Sequence, residues 1–112
     1  MDASRFHRIA KALADPRRFE ILEQLSQCGG ELCCGEVVAR FSVKQATISH
    51  HLKELTDAGL IEIRPEGQFR YFRPRPEVLA EYIEELQRRM GLQRTGRTTN
   101  RPNRRARSTA KR

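Results

Sequence analysis

The chain has 112 residues, with 22 Lys or Arg against 14 Asp or Glu, and three cysteines. That length supports a single hydrophobic core, and no apolar run approaches a membrane span or the apolar segment of a signal peptide, so a cytoplasmic protein without membrane contact is expected. The formal charge of +8 is lopsided, because eight basic residues and no acid lie from Leu92 onward, leaving residues 1–91 formally neutral.

A basic total usually hints at nucleic acid, but here the excess sits in the tail, so a DNA-binding role must be read from local placement. Residues 3–14 carry Phe6, Ile9, Ala10 and Leu13 on one face of a 3.6-residue period and read as an amphipathic helix. Asp15-Pro16 breaks it and opens a second helix, to about Gln27: Asp suits an N-cap and Pro the first helical position. Phe19, Ile21, Leu22 and Leu25 form its apolar set, and Cys28-Gly29-Gly30 ends it. A short helix over about Cys34 to Phe41 offers Val37, Val38 and Phe41. After the turn Ser42-Val43-Lys44, residues 45–58 form a fourth helix with Ile48, Leu52 and Leu55 inward and Gly59 as its stop. LIEIR and FRYFR flank a Gly-containing connection and alternate apolar with polar residues, the signal of a β-hairpin. Pro76 opens a last helix to about Met90, striped by Leu79, Tyr82, Ile83, Leu86 and Met90. The domain is thus residues 1–91, and residues 92–112 form a basic tail too poor in apolar side chains to order.

Two short helices, a three-residue turn and a hairpin with arginines on its outer face make a winged helix-turn-helix, mainly α with a β-hairpin wing. In such a domain the second helix of the pair enters the major groove and the hairpin reaches adjacent backbone. At 100° per residue, Ala46, Ser49, His50, Lys53 and Asp57 lie opposite the apolar face of helix 45–58, with Gln45 and Thr47 flanking its N-terminal end. Lys44, Gln45, Ala46, Thr47, Ser49, His50 and Lys53 are candidates for bases and phosphates of double-stranded DNA; Arg64, Gln68 and Arg70 of the wing are candidates for backbone. A polar helix face by itself is commonplace; the ordered set of turn, polar helix, glycine stop and basic hairpin gives it meaning.

The stretch ELCCGEVVARFSVKQATISHHLKELTDAGLIEIRPEGQFRYFR resembles the ArsR/SmtB-type winged-helix repressors. The likeness includes ADPRRFEIL, Ser49-His50-His51-Leu52, the L-x-x-A-G-L-I run through Leu60 and Ile61, and R-x-x-G-x-x-x-Y-F across the wing. It covers about residues 5–90 and implies an α-α-α-α-β-β-α order, homodimers built on the first and last helices, and repression from a palindromic operator. The apolar stripes of the two terminal helices agree, and Phe6, Ile9, Leu13, Leu79, Tyr82, Ile83 and Leu86 are the candidate dimer contacts. Where the family has Ser or Thr as the cap of the reading helix, this chain has Lys44, so a side-chain cap is missing.

Arsenite-sensing members carry E-L-C-x-C-D-L before their third helix. Here Cys33 matches the first cysteine, Cys34 the intervening position, and Gly35 stands where the second cysteine belongs. A soft ion needs two or three converging thiolates; adjacent Cys33 and Cys34 diverge on a helix, so arsenite or another soft metal ion would need an irregular backbone at Gly35, with Cys28 as the third ligand. Thiol oxidation and plain burial are the competing uses. Zinc-binding relatives use His, Asp and Glu on the last helix, and this one has no His, Cys or Asp there. His50 points outward; His51 is expected to be packed and hydrogen-bonded, and His7 solvated. An enzyme is not indicated: no histidine is spaced to serve the cysteines, and no phosphate loop or paired-carboxylate pattern is present. The alternative is a dimeric protein-interaction module whose helix-turn-helix has degenerated, which the neutral body would suit.

Overall fold

The computed structural model describes residues 1–92. The expected basic tail, beyond Leu92, lies outside them. The order is α1 (Ala3–Ala14), α2 (Pro16–Gln27), β1 (Leu32–Cys33), α3 (Cys34–Ala39), α4 (Gln45–Asp57), β2 (Ile61–Glu66), β3 (Phe69–Pro74) and α5 (Pro76–Arg89). Among the described residues no helix is long and apolar enough to cross a membrane. The chain divides into two units within α5, between Tyr82 and Ile83.

The hairpin wing is present, but it belongs to a three-stranded antiparallel sheet ordered β1-β3-β2. The expected α-α-α-α-β-β-α order therefore lacked β1. Two residues cannot display an alternation, and Leu32 and Cys33 become a strand only by pairing with Phe72 and Tyr71.

Local chemistry sets the helix ends. The Asp15 carboxylate accepts from the Arg18 N–H at 2.9 Å, capping α2 while Pro16 fills its first turn. Lys44 stands at the cap of α4 and gives no side-chain hydrogen bond, as its residue type requires. At the other end Gly59 adopts φ +82°. Its N–H donates to the Thr56 carbonyl and that of Leu60 to the Leu55 carbonyl, closing a Schellman motif that turns the chain into the wing. α3 stops at Ala39, two residues short of the expectation, because Arg40 and Phe41 donate three residues back instead of four.

The core of the first unit joins Ile9 and Ala12 of α1, Ile21, Leu22 and Leu25 of α2, Val37 of α3 and Ile48, Leu52 and Leu55 of α4. Leu32, Ile61 and Phe72 close it from the sheet and Val78 from α5. Each of these side chains except Ala12 contributes about 1.5–3 kcal/mol by leaving water. Two inward assignments change. Phe19 is 44% exposed, and on α5 Val78 rather than Leu79 is the fully buried residue. In the second unit, α5 leaves Ile83 and Leu86 exposed, and Glu85 bonds both Arg88 and Arg89.

Asp15→Ala removes the side-chain cap of α2. Thermal or urea denaturation should register a loss of about 1 kcal/mol.

Candidate nucleic-acid interface

Ile48, Leu52 and Leu55 bury one face of α4, which fixes the direction of the other. Gln45, Ala46, Thr47, Ser49, His50 and Lys53 are all exposed, as is Lys44 before them. Ala46, His50 and Lys53 form an outward stripe opposite the core. The Lys53 ammonium holds the Asp57 carboxylate at 2.8 Å, raising the lysine's pKa and lowering the aspartate's. Such an exposed pair is weak, so a phosphate can exchange for Asp57 at little cost.

The strand register divides the wing's arginines. Ile63 faces Phe72 and Pro65 faces Arg70, so Arg70 shares the sheet face that carries Ile63 and Phe72. Arg64 faces Tyr71 and sits on the opposite face, its guanidinium 4.7 Å from that ring's centroid. The hairpin read as having both arginines on its outer face thus carries them on opposite faces, and Phe72 rather than Phe69 or Tyr71 supplies the buried aromatic.

Arg64 is also heavily engaged. It forks onto Glu31 through Nε and Nη2, the latter at 2.8 Å, and bonds Glu66 through Nη1. These bonds raise its pKa, and the bond from Arg64 lowers that of Glu31. Arg64 therefore ties the wing to the segment before β1. Arg70 and Gln68 instead line a cleft of about 640 Å³ between wing and α4, with Ser49, Lys53, Ile63 and Cys34.

The three thiols face three different partners. Cys28 donates to the Leu25 carbonyl at 3.1 Å. Cys33 closes β1 and caps α3, where its N–H donates to Glu36 Oε1 at 2.8 Å; that bond, with the thiol adding to it, lowers the Glu36 pKa. Cys34 Sγ lies 3.9 Å from Ser49 Oγ on α4. All three are free and half-buried, and no group of three His, Cys, Asp or Glu side chains is gathered for a metal ion among the described residues. The donor set as arranged does not fit a three-thiolate site.

His51 is buried as expected, but its Nδ1 has no hydrogen-bond partner. Burial pushes its pKa down, Asp15 opposes, and the nearby Arg18, His50 and Arg17 charges add to the fall. His50 is exposed, and His7 meets the Phe6 ring edge-on. Among the dimer candidates, Ile9 is fully buried in the chain's own core and has no area left for a partner. Phe6 is buried and stacks on Tyr82 at 4.9 Å, Leu13 and Leu79 are partly buried, and Ile83 and Leu86 stand exposed.

A polar helix presented bare beside a β-hairpin, after a short helix and turn, defines a winged helix-turn-helix domain. Residues 15–62 match the bacterial regulatory protein arsR family. An arsenical resistance operon repressor of Staphylococcus aureus is 38% identical over 78 residues, 70% of this chain and 73% of that one. An ArsR-like transcriptional regulator from Rhodococcus sp. RHA1 superposes with a TM-score of 0.71 at 25% identity, over 79% of this chain and 81% of that one. A homodimeric winged helix-turn-helix DNA-binding domain from Mycobacterium bovis gives 0.63 at 28% identity, over 86% and 89%. This chain belongs to the ArsR family, whose members are DNA-binding transcriptional regulators and not enzymes.

The buried neutral His51 makes stability depend on pH. Its folded pKa lies below the ordinary 6.5, so the unfolded chain binds the proton more readily and stability falls as pH drops below that value. The melting temperature should fall from roughly pH 7.5 to 5.5, and less so in His51→Leu. An equal fall in both proteins would mean that His51 is not the source.

Proposed function

We propose that the protein is a homodimeric transcriptional repressor that occupies a palindromic operator, with α4 as its reading helix. The observation that carries this reading is the exposed polar stripe of α4, set between a basic-rimmed wing and a fully buried opposite face. Gln45, Thr47, Ser49 and His50 bring donors and acceptors suited to base edges, and Ala46 suits a thymine methyl. Lys44 and Lys53 supply charge for phosphates, and a phosphate at the start of α4 would satisfy the N–H groups that Lys44 leaves uncapped. Gln68 and Arg70 hold backbone from the wing, while Arg64 positions the wing through Glu31 and Glu66.

The dimer reading rests on exposed apolar residues of α5, Ile83 at 48% and Leu86 at 38%, and on the homodimeric relative from M. bovis. Two reading helices would then lie about one DNA turn apart, roughly 34–36 Å. Duplex selected from a random pool should contain an inverted repeat at that spacing. Gln45→Ala should weaken the selected duplex by about 1–3 kcal/mol while leaving random duplex unaffected. Equal wild-type affinity for palindromic and random duplex would sink the repressor reading.

A second reading, a thiol response, has one specific observation behind it. Cys34 abuts Ser49, so an adduct on its sulfur would press on the reading helix. Arsenite is the natural first probe, because arsenical resistance repressors are among the relatives. On this reading arsenite lowers operator affinity at least several-fold in the wild type and not in Cys34→Ser. An unchanged wild-type affinity ends it.

A further inference from the structure

The wing covers one shoulder of α4. The other shoulder faces a hollow of about 720 Å³ between α1, the start of α2 and α4. His7, Arg8 and Lys11 of α1, Arg18 of α2 and His50 of α4 line it. Its acids are Glu54 and Asp57, and Asp57 pairs with Lys53 and also feels the Arg8 charge. Arg8 and Lys11 are exposed and make no ion pair among the described residues. Arg18 is held at the junction, its Nη1 donating to the Lys11 carbonyl at 3.5 Å. Its Nε is buried without a hydrogen-bond partner. Positive charge has therefore gathered at one place on a domain whose residues 1–91 are formally neutral.

On the helical wheel the wing-side cleft takes Gln45, Ser49, Lys53 and Thr56, the basic hollow takes His50 and Glu54, and Asp57 borders both. Ala46 lies outward between them. A helix about 10–12 Å across fills a major groove about 12 Å wide, so the phosphates of both strands come up to its two shoulders.

We infer that Arg8, Lys11 and Arg18 form a second backbone-binding site, which takes the DNA strand on the side of α4 away from the wing. This rests on α4 being the reading helix. The site clamps the groove from both walls and adds affinity without base preference, because phosphates carry no sequence information. Glu54 limits it to a phosphodiester strand passing its mouth and disfavours a small anion held deep inside.

The test is the salt dependence of binding to a duplex selected by the wild-type protein and to a random duplex of equal length. In Arg8→Gln/Lys11→Gln the slope of log affinity against log salt should shrink by about 2 for each protomer, hence about 4 for the dimer, near 0.9 for each phosphate that is no longer neutralised. Near 0.15 M salt the affinity should drop roughly 5-fold for each such phosphate, equally for both duplexes. Arg8→Lys/Lys11→Arg should keep the wild-type slope, which separates charge from damage to α1. Arg40→Gln/Arg75→Gln, with the same formal charge change away from this hollow and from the wing's ion pairs, should leave the slope near that of the wild type. A wild-type slope in the Arg8→Gln/Lys11→Gln variant, or an equal change in the control, overturns the inference while the reading role of α4 stands. Gln45→Ala without effect on selectivity would instead remove the reading role, and this inference with it.

Discussion

The burial of one face of α4 is the constraint from which the rest of the molecule follows. Ile48, Leu52 and Leu55 are sealed against α1, α2, α3 and the sheet, so α4 cannot rotate without exposing them. The polar residues on its far side then have a fixed direction. A helix held this way loses little further freedom when it meets a partner, which is the condition for precise contact with base edges. Its two ends differ in kind. The Schellman motif at Gly59 locks the C-terminal end to the wing, whereas the N-terminal end is left uncapped by Lys44.

The wing is held by a different force. Its base is apolar, through Ile61 and Phe72, but Ile63 is 37% exposed and Phe69 53%, so apolar packing fades toward the tip. Charged contacts run along the hairpin, with Arg64 reaching back to Glu31 and along β2 to Glu66, and Arg73 bonding Glu62 near the root. Exposed ion pairs contribute little each and are screened by salt. The wing is therefore set firmly at its root and adjustably at its tip, which suits an element that follows the backbone of a duplex.

The cysteines show how position can change while a motif remains legible. The run ELCC resembles a soft-metal motif, yet Cys33 is committed to β1 and the α3 cap, Cys34 turns to Ser49, and Cys28 packs at the end of α2. These contacts join β1, α3 and α4. The Cys34 sulfur lies beside a side chain of α4.

The sequence by itself determined the five helices, the hairpin, the inner face of α4, that of α2 apart from Phe19, and the polar stripe of α4, because those features rest on local periodicity, Pro and Gly punctuation and side-chain chemistry. The family was legible for the same reason, since its motifs are contiguous. Only the tertiary structure decided the rest. β1 exists because β3 offers it partners, the register puts Arg70 and Arg64 on opposite faces, and Ile9 and Val78 are buried by elements distant in the chain. The basic hollow also escaped notice, because Arg8, Lys11, Arg18 and His50 come from three helices and meet only when those helices pack. Local spacing cannot report a distance set by packing between segments, and most of what surrounds α4 is of that kind.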